Sequence, residues 1–310
     1  MLLSILLPIC AIVLLGFLAA RTGFIQPSLI TGMSQFVIKV ALPAFLLQAL
    51  ASKNLNEIWH PRYFMAYALG SLLLYALAFF ICRRYFKSNL TEASVLAVGA
   101  SMSNTGFIGT AVLTLLIGSH AAVYLSLTLI IENLLIVTLM MLLAERGLQT
   151  GSAHTSPMLR DTLVRIIKNP LIVAIVLGMA CVLLNVQLPK VLAHTLTILG
   201  QTASPLALFV IGASLMGMTV KSINTHSWVL VLIKGLLMPA VIFMLLWSFG
   251  VNNETLYVGT LIAALPMPIA FGIFAQHYGV HGKALAPLVM STVFGFLVTA
   301  IWLMQSVHYL

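Results

Sequence analysis

Residues 104–109 read Asn-Thr-Gly-Phe-Ile-Gly and interrupt a segment that is otherwise apolar. Hydrocarbon offers no water to backbone N–H and C=O groups, so irregular backbone at that depth survives only inside protein or beside a cavity. The half-helix that follows such a break begins with free N–H groups and a positive partial charge, which suit a carboxylate. The motif therefore predicts a binding site for an anion at membrane depth.

Small and polar residues surround this motif and are the candidate ligand contacts. Glycine lets a backbone or a substrate approach closely. Packing between membrane helices also favours Gly, Ser and Thr, so a purely structural role explains the hydroxyl groups equally well. The predicted substrate-binding residues of this region are Ser101, Ser103, Asn104, Thr105 and Gly106, and the predicted helix breaks are Gly106 and Gly109.

Two ionisable residues lie near the middle of other apolar segments. A charge there costs ~2.5–3.5 kcal/mol on insertion scales, so Lys39 and Glu132 should face a cavity or a partner. We expect Lys39 to attract an anionic substrate, with a structural ion pair or snorkelling as the alternative. We expect Glu132, next to Asn133, either to serve in proton coupling or to pair with Lys39 or Lys234. Lys234 lies nearer one end of its segment and is predicted to snorkel.

Composition assigns the chain to a bilayer. Of its 310 residues, 61% are hydrophobic and only 7% are charged, whereas a soluble domain carries about 25% charged residues. The net charge of +9 does not indicate nucleic acid binding, because most Lys and Arg residues lie in short loops. No catalytic set, ATP-binding motif or metal-ligand cluster is present in the sequence, so we expect neither an enzyme nor a cofactor.

Runs of about 20 apolar residues mark the predicted spans. Putting the N-terminus outside leaves ten Lys and Arg residues in the inner loops and three in the outer loops. This asymmetry predicts a multi-pass protein of the cytoplasmic membrane with both termini outside. The ten predicted spans are residues 2–20, 28–50, 63–82, 93–117, 120–144, 169–187, 193–219, 227–249, 255–279 and 284–307.

An internal repeat appears at a spacing of 162 residues. The matched pairs are Pro8 with Pro170, Gly16 with Gly178, Lys39 with Gln201, Pro43 with Pro205, and Asn104 with Pro266. Matched interruptions in corresponding segments are a pointer to a transporter binding site, so Gln201 and Pro266 join the predicted site. Pro43, Pro205, Pro266 and Pro268 are the further predicted breaks.

The repeat also predicts the domain organisation. Residues 1–148 form the first set of five helices, residues 149–167 a cytoplasmic linker, and residues 168–310 the second set. Because five is an odd number, the second copy must enter the membrane from the opposite side, which makes the repeat inverted.

Four motifs resemble those of the auxin efflux carrier family, whose members include plant auxin exporters and prokaryotic carriers linked to malonate or malate. They are residues 41–43 (Ala-Leu-Pro), 104–109, 204–209 (Ser-Pro-Leu-Ala-Leu-Phe), and 264–266 (Ala-Leu-Pro) together with 275–279 (Ala-Gln-His-Tyr-Gly). The resemblance implies ten helices in two inverted repeats, with helices 4 and 9 broken and crossing, as in bile-acid symporters and sodium/proton antiporters. Lys39 would then occupy the place that a cation fills in sodium-coupled relatives of that fold. Gln276 is a predicted second-half site residue.

The family resemblance implies a secondary active transporter of an organic anion that works by alternating access, in efflux or uptake. Ala270 stands where family members usually have Asn, which favours a more hydrophobic anion and weakens the case for a dicarboxylate. Proton or sodium coupling and a homodimer are both compatible with the sequence. A cation/proton antiporter of related fold and a membrane receptor that binds its ligand without moving it are the alternatives.

Overall fold

The computed structural model describes residues 2–52, 59–148, 170–216 and 223–306, and its regular structure in those ranges is entirely helical. The predicted linker, residues 149–167, lies outside the described residues. The α-helices are α1 (Leu2–Arg21), α2 (Pro27–Phe36), α3 (Leu42–Ala51), α4 (Pro61–Arg84), α5 (Leu90–Ser101), α6 (Thr110–Ile117), α7 (Ala121–Ile130), α8 (Thr138–Leu148), α9 (Pro170–Leu183), α10 (Lys190–Gln201), α11 (Ala203–Met216), α12 (Thr225–Leu232), α13 (Met238–Ser248), α14 (Asn253–Ala264), α15 (Ile269–His277) and α16 (His281–Ser306).

Six stretches are long and apolar enough to cross a membrane. Two shorter apolar helices cover Ala11–Arg21 and Ile172–Leu183. The all-helical membrane class predicted from composition is therefore confirmed. The six stretches are Pro27–Gln48, Pro61–Arg84, Leu90–Leu148, Thr225–Ser248, Asn253–Gly272 and Gly282–Gln305.

Asparagine caps begin three of these helices. The side-chain oxygens of Asn89, Asn224 and Asn252 accept hydrogen bonds of 2.8–2.9 Å from the backbone N–H three residues further on. Such a bond satisfies one of the N–H groups that a helix start leaves without an intrahelical acceptor. These caps explain why α5, α12 and α14 begin where they do.

Four turns of π-helix interrupt three of these long stretches. They cover Val37–Ala41, Thr105–Gly109, Ile131–Val137 and Ile233–Leu237. Together they contain Lys39, Glu132, Lys234 and most of the Asn-Thr-Gly motif. Because π-turns in helices are frequent at functional sites, their positions single out these residues.

The described chain forms two compact units. The first comprises residues 1–60, 105–127 and 167–219, and the second comprises 61–104, 128–166 and 220–310. In the first unit α1 packs along α11, and a Cβ atom at Gly16 or Gly212 would overlap the backbone of the other helix. Close approach of membrane helices at small residues is their usual mode of packing. In the second unit α5 packs between α4 and α8, and α13 packs against both α4 and α14.

Candidate functional site

The first break falls between α5 and the π-turn that starts at Thr105. Met102 is extended, with φ −122° and ψ 155°, and Ser103 and Asn104 have no helical structure. The chain is thus irregular just before Gly106 and Gly109, which both lie inside the π-turn. All three irregular residues are buried, as the cost of bare backbone in hydrocarbon requires.

The second break separates α14 from α15. Helix α14 ends at Ala264, α15 begins at Ile269, and the residues between them are irregular. Pro266 and Pro268 both lie in this interval, where neither can donate a backbone hydrogen bond. The Pro-Met-Pro sequence therefore predicts the position of the interruption well.

The two breaks are joined by a direct backbone hydrogen bond. The N–H of Asn104 donates to the carbonyl oxygen of Pro266 at 2.9 Å. Helix α16 supports the second break, because its Ser291 hydroxyl accepts from the N–H of Met267 at 2.9 Å and its Thr299 hydroxyl donates to Ala264 O at 3.1 Å. The irregular backbone is thus satisfied by protein groups at a depth where water would be costly to admit.

Lys234 links both breaks from the π-turn in the stretch formed by α12 and α13. Its ammonium donates to Ala263 O at 2.7 Å and to Ser103 Oγ at 2.9 Å, and it lies 3.1 Å from Met238 Sδ. The side chain is fully buried. The prediction that Lys234 snorkels is therefore wrong, because the negative end of half-helix α14 supplies acceptors inside the protein.

Glu132 reaches the same place from the π-turn between α7 and α8. Its Oε1 accepts a 2.9 Å hydrogen bond from the N–H of Ser103, and the residue is 1% exposed. Its carboxylate also interacts electrostatically with the Lys234 ammonium. Of the two partners left open by the sequence, the structure provides Lys234. The neighbouring Asn133 amide donates to Leu129 O of its own helix at 2.8 Å.

Tyr67 of α4 completes this buried polar cluster, which we define as Tyr67, Ser103, Glu132 and Lys234. The Tyr67 hydroxyl is fully buried and lies beside Ser103 and Glu132. Among the described residues, no group forms a hydrogen bond of ordinary geometry with this hydroxyl. The cluster holds one formal positive and one formal negative charge, so its net formal charge is zero.

Asn104 differs from its neighbours in having an available side chain. It is 4% exposed, and its amide forms no hydrogen bond with any residue that the structure describes. Ser101, by contrast, is fully buried and donates to Ala97 O in its own helix at 2.9 Å. Thr105 is also fully buried. The Asn104 amide therefore has hydrogen-bonding positions that a ligand or water could occupy.

The first unit holds the remaining predicted site residues. Gln201 and Pro205 line a cavity of about 390 Å³ together with Gln48, Thr110 and Thr114. None of the described residues that line it is charged. Lys39 is exposed and does not line this cavity. The structure thus places Gln201 and Lys39, which the repeat pairs, in different surroundings.

The remaining predicted residues are Pro43 and Gln276. Pro43 lies at the start of α3, directly after the π-turn at Val37–Ala41, where a missing N–H is tolerated. The side chain of Gln276 lies outside the described part of the structure. Within the described residues, no three His, Cys, Asp or Glu side chains lie close enough to hold a metal ion.

Sequence reasoning missed the supporting role of Ser291 and Thr299. Both lie in α16, where single hydroxyl residues are common and carry no special signal. The sequence did signal Lys234, as a charge inside an apolar run. Its position near the end of that run led to the wrong prediction that the side chain reaches the membrane surface. The position along the run does not show that a neighbouring helix ends beside the lysine and offers it an acceptor.

Helices that could cross a membrane and meet at two buried breaks define a multi-pass membrane protein. A family model described as "Membrane transport protein" matches residues 1–304. The chain belongs to this family, to which the auxin efflux carriers also belong, so the resemblance drawn from the motifs is confirmed. It is a membrane transporter, and the expectation that it is not an enzyme is also confirmed.

The individual relatives are transporters of similar length. The chain is 25% identical over 295 residues to the "Putative malonate transporter" of Rhizobium meliloti (strain 1021), covering 93% of this chain and 91% of that protein. It is 26% identical over 310 residues to the "Uncharacterized transporter YfdV" of Escherichia coli (strain K12), covering 97% and 96%. It is 21% identical over 348 residues to "Auxin efflux carrier component 8" of Arabidopsis thaliana, covering 95% and 93%.

Proposed function

We propose that this protein is a secondary active transporter that carries an organic anion across the cytoplasmic membrane by alternating access. The observation that carries the proposal is the Asn104 amide, which is nearly buried, lacks a hydrogen bond within the described residues and lies at the junction of two helix breaks. Broken helices near the membrane midplane are where carriers of this kind hold their substrates.

An anion suits this site because of what surrounds Asn104. Helical structure resumes at Thr105, directly after Asn104, and the free N–H groups at the start of a helix favour negative charge. Lys234 and Glu132 carry opposite formal charges, so together they offer a substrate little net attraction. Two of the relatives are named for malonate and for auxin, which are both carboxylates, so a carboxylate is the proposed substrate class.

The proposed architecture is ten helices in two inverted repeats, with both termini outside. Helix packing in the first unit supports the repeat. Helix α1 packs along α11, and α9 packs along α3. The 162-residue spacing relates α1 to α9 and α3 to α11, so each contact is the counterpart of the other. An inverted repeat produces such exchanged contacts about its pseudo-two-fold axis.

Counterflow in proteoliposomes tests the function directly. Purified protein is reconstituted with an unlabelled carboxylate inside, and uptake of labelled malonate, malate and indole-3-acetate is followed with and without pH and sodium gradients. We expect saturable uptake of at least one of these carboxylates. Specific binding without uptake would instead support the receptor alternative.

The Asn104→Ala variant tests whether Asn104 binds the substrate, and Asn253→Ala is its control. Asn253 is an exposed asparagine at the start of α14, so its replacement removes an amide without touching the breaks. Loss of a hydrogen bond to a charged ligand corresponds to ~1.5–3 kcal/mol, or roughly a tenfold to hundredfold loss of affinity. Equal counterflow by both variants would remove Asn104 from the site.

A further inference from the structure

The atoms that hold the Lys234 ammonium are the kind that hold a monovalent cation. The ammonium contacts the carbonyl oxygen of Ala263, one residue before the end of α14, and the hydroxyl oxygen of Ser103 in the other break. Half-helix C-terminal ends carry negative partial charge and coordinate cations in carriers with broken helices. Lys234 thus places a positive charge where a diffusible ion would be stabilised.

The charge balance of the cluster depends on this ammonium. Glu132 is 1% exposed, accepts from Ser103 N and interacts electrostatically with Lys234. The other titratable group in the cluster is the hydroxyl of Tyr67, with Tyr63 next to it. Truncating Lys234 would leave a helix-end carbonyl and a hydroxyl around the vacated space, and it would leave the buried Glu132 carboxylate of the same cluster uncompensated.

We propose that Lys234 is a resident cation that fills a monovalent-cation site at the helix breaks, so that the wild-type protein holds the breaks together without bound sodium. In a Lys234→Ala variant the same oxygens would bind a small external cation. The best external ligand would be propylammonium, because it replaces the three carbons and the nitrogen removed by the substitution. The consequence for transport, that it proceeds without sodium, rests on the proposed function.

Thermal unfolding of the purified full-length protein in detergent tests the site without any transport assay. Wild type, Lys234→Ala and Lys283→Ala would be compared in propylammonium, sodium and choline chloride at equal ionic strength, and with propanol as the uncharged analogue. Lys283 is the matched control. Its side chain is half exposed, and its ammonium lies 2.7 Å from the Glu92 carboxylate, in an ion pair that does not involve the breaks.

We expect Lys234→Ala to have a lowered Tm in choline and to regain Tm saturably with propylammonium, with a smaller gain from sodium. For wild type and for Lys283→Ala, the Tm of each protein should vary by less than about 2 °C among the three salts. A shift of that size corresponds to a change in stability of at most about 1 kcal/mol. The same salt response in Lys234→Ala and Lys283→Ala would overturn the proposal.

A double variant, Lys234→Ala with Glu132→Gln, covers the case in which the single variant does not fold. It removes both charges, so it should fold without an added cation and show no specific gain with propylammonium. A gain in the double variant equal to that in the single variant would show that the cation binds elsewhere.

Counterflow separates this proposal from the proposed function. Wild-type uptake should be equal in sodium and choline, and strict dependence on sodium would overturn the resident-cation proposal while leaving the transport function intact. Failure of every carboxylate to exchange would contradict the proposed function, whereas the Tm response of Lys234→Ala would still decide the cation site.

Discussion

Contacts within the protein hold both helix breaks, but the first also contains an amide side chain that is free to bind, whereas the second, residues 265–268, has only apolar side chains. At the first, the Asn104 amide is nearly buried and forms no hydrogen bond among the described residues. At the second, Ala263 O accepts from Lys234 and Ala264 O accepts from Thr299. The two breaks are paired in sequence, yet they make different contributions to the site.

The difference indicates that the two breaks have different roles in the site. An open amide can recognise a ligand only if the backbone around it keeps its position, and bare backbone at this depth would otherwise be unstable. The second break helps to fix the backbone of Asn104, because the Pro266 carbonyl oxygen accepts a hydrogen bond from the Asn104 N–H. We therefore expect changes in the side chains that support the breaks, such as Glu132 and Ser291, to lower stability, and changes in Asn104 to lower binding.

The largest predicted effect is that of Glu132→Gln. Glutamine can still accept from Ser103 N, but it leaves the fully buried Lys234 without its charge partner. Removing one member of a buried pair costs ~3–5 kcal/mol, so we expect a large fall in the free energy of unfolding. Chemical denaturation in detergent would measure it. If Glu132 also carries a coupling proton, the variant should lose the dependence of uptake on the pH gradient.

Glu254→Gln is the control for this substitution. Glu254 lies in the first turn of α14, so its loss removes only a favourable interaction with the helix dipole. Such an interaction contributes ~0.3–1 kcal/mol. Equal stability of the two glutamine variants would contradict a structural role for Glu132 in the cluster.

The second prediction compares the two lysines inside apolar stretches. Lys39 is exposed and has no resolved partner among the described residues, whereas Lys234 is fully buried and bonded. We expect Lys39→Met to weaken carboxylate uptake by about tenfold, equivalent to ~1.4 kcal/mol, without lowering Tm. Lys190→Met, at the exposed start of α10, is the control. Normal uptake by Lys39→Met would end its proposed role with the anion.

The contrast between these lysines also shows how far sequence reasoning extends. Apolar runs predict the helices, and Asn-Thr-Gly and Pro-Met-Pro predict the breaks, because each pattern acts through local chemistry. The partner of Lys234 could not be predicted in this way. Ala263 and Ser103 are 29 and 131 residues away along the chain, and only the packing of α12, α15 and α16 against α5 brings them together.

A smaller loss of stability than that of Glu132→Gln is expected from Ser291→Ala. The substitution removes the acceptor of the Met267 N–H and leaves that buried donor unsatisfied. The expected loss is ~1–3 kcal/mol in the free energy of unfolding, measured by chemical denaturation. The control is Ser248→Ala, because the exposed Ser248 hydroxyl bonds only to Leu245 O at the end of its own helix. A loss no larger than the control's would mean that water replaces the serine.

The sharpest test of the unequal breaks is Ala270→Asn, for which we expect little change in stability. Ala270 is half-buried in the first turn of α15, so an amide there would give the second break the polar group that the first already has. Two amides can bind two carboxylates, so counterflow should shift toward malonate relative to indole-3-acetate. Ala300→Asn, at a half-buried position of α16, controls for added polarity alone. An unchanged ratio in Ala270→Asn would mean that substrate choice is set by the first break and the groups near it, and that the second break serves only to hold Asn104 in place.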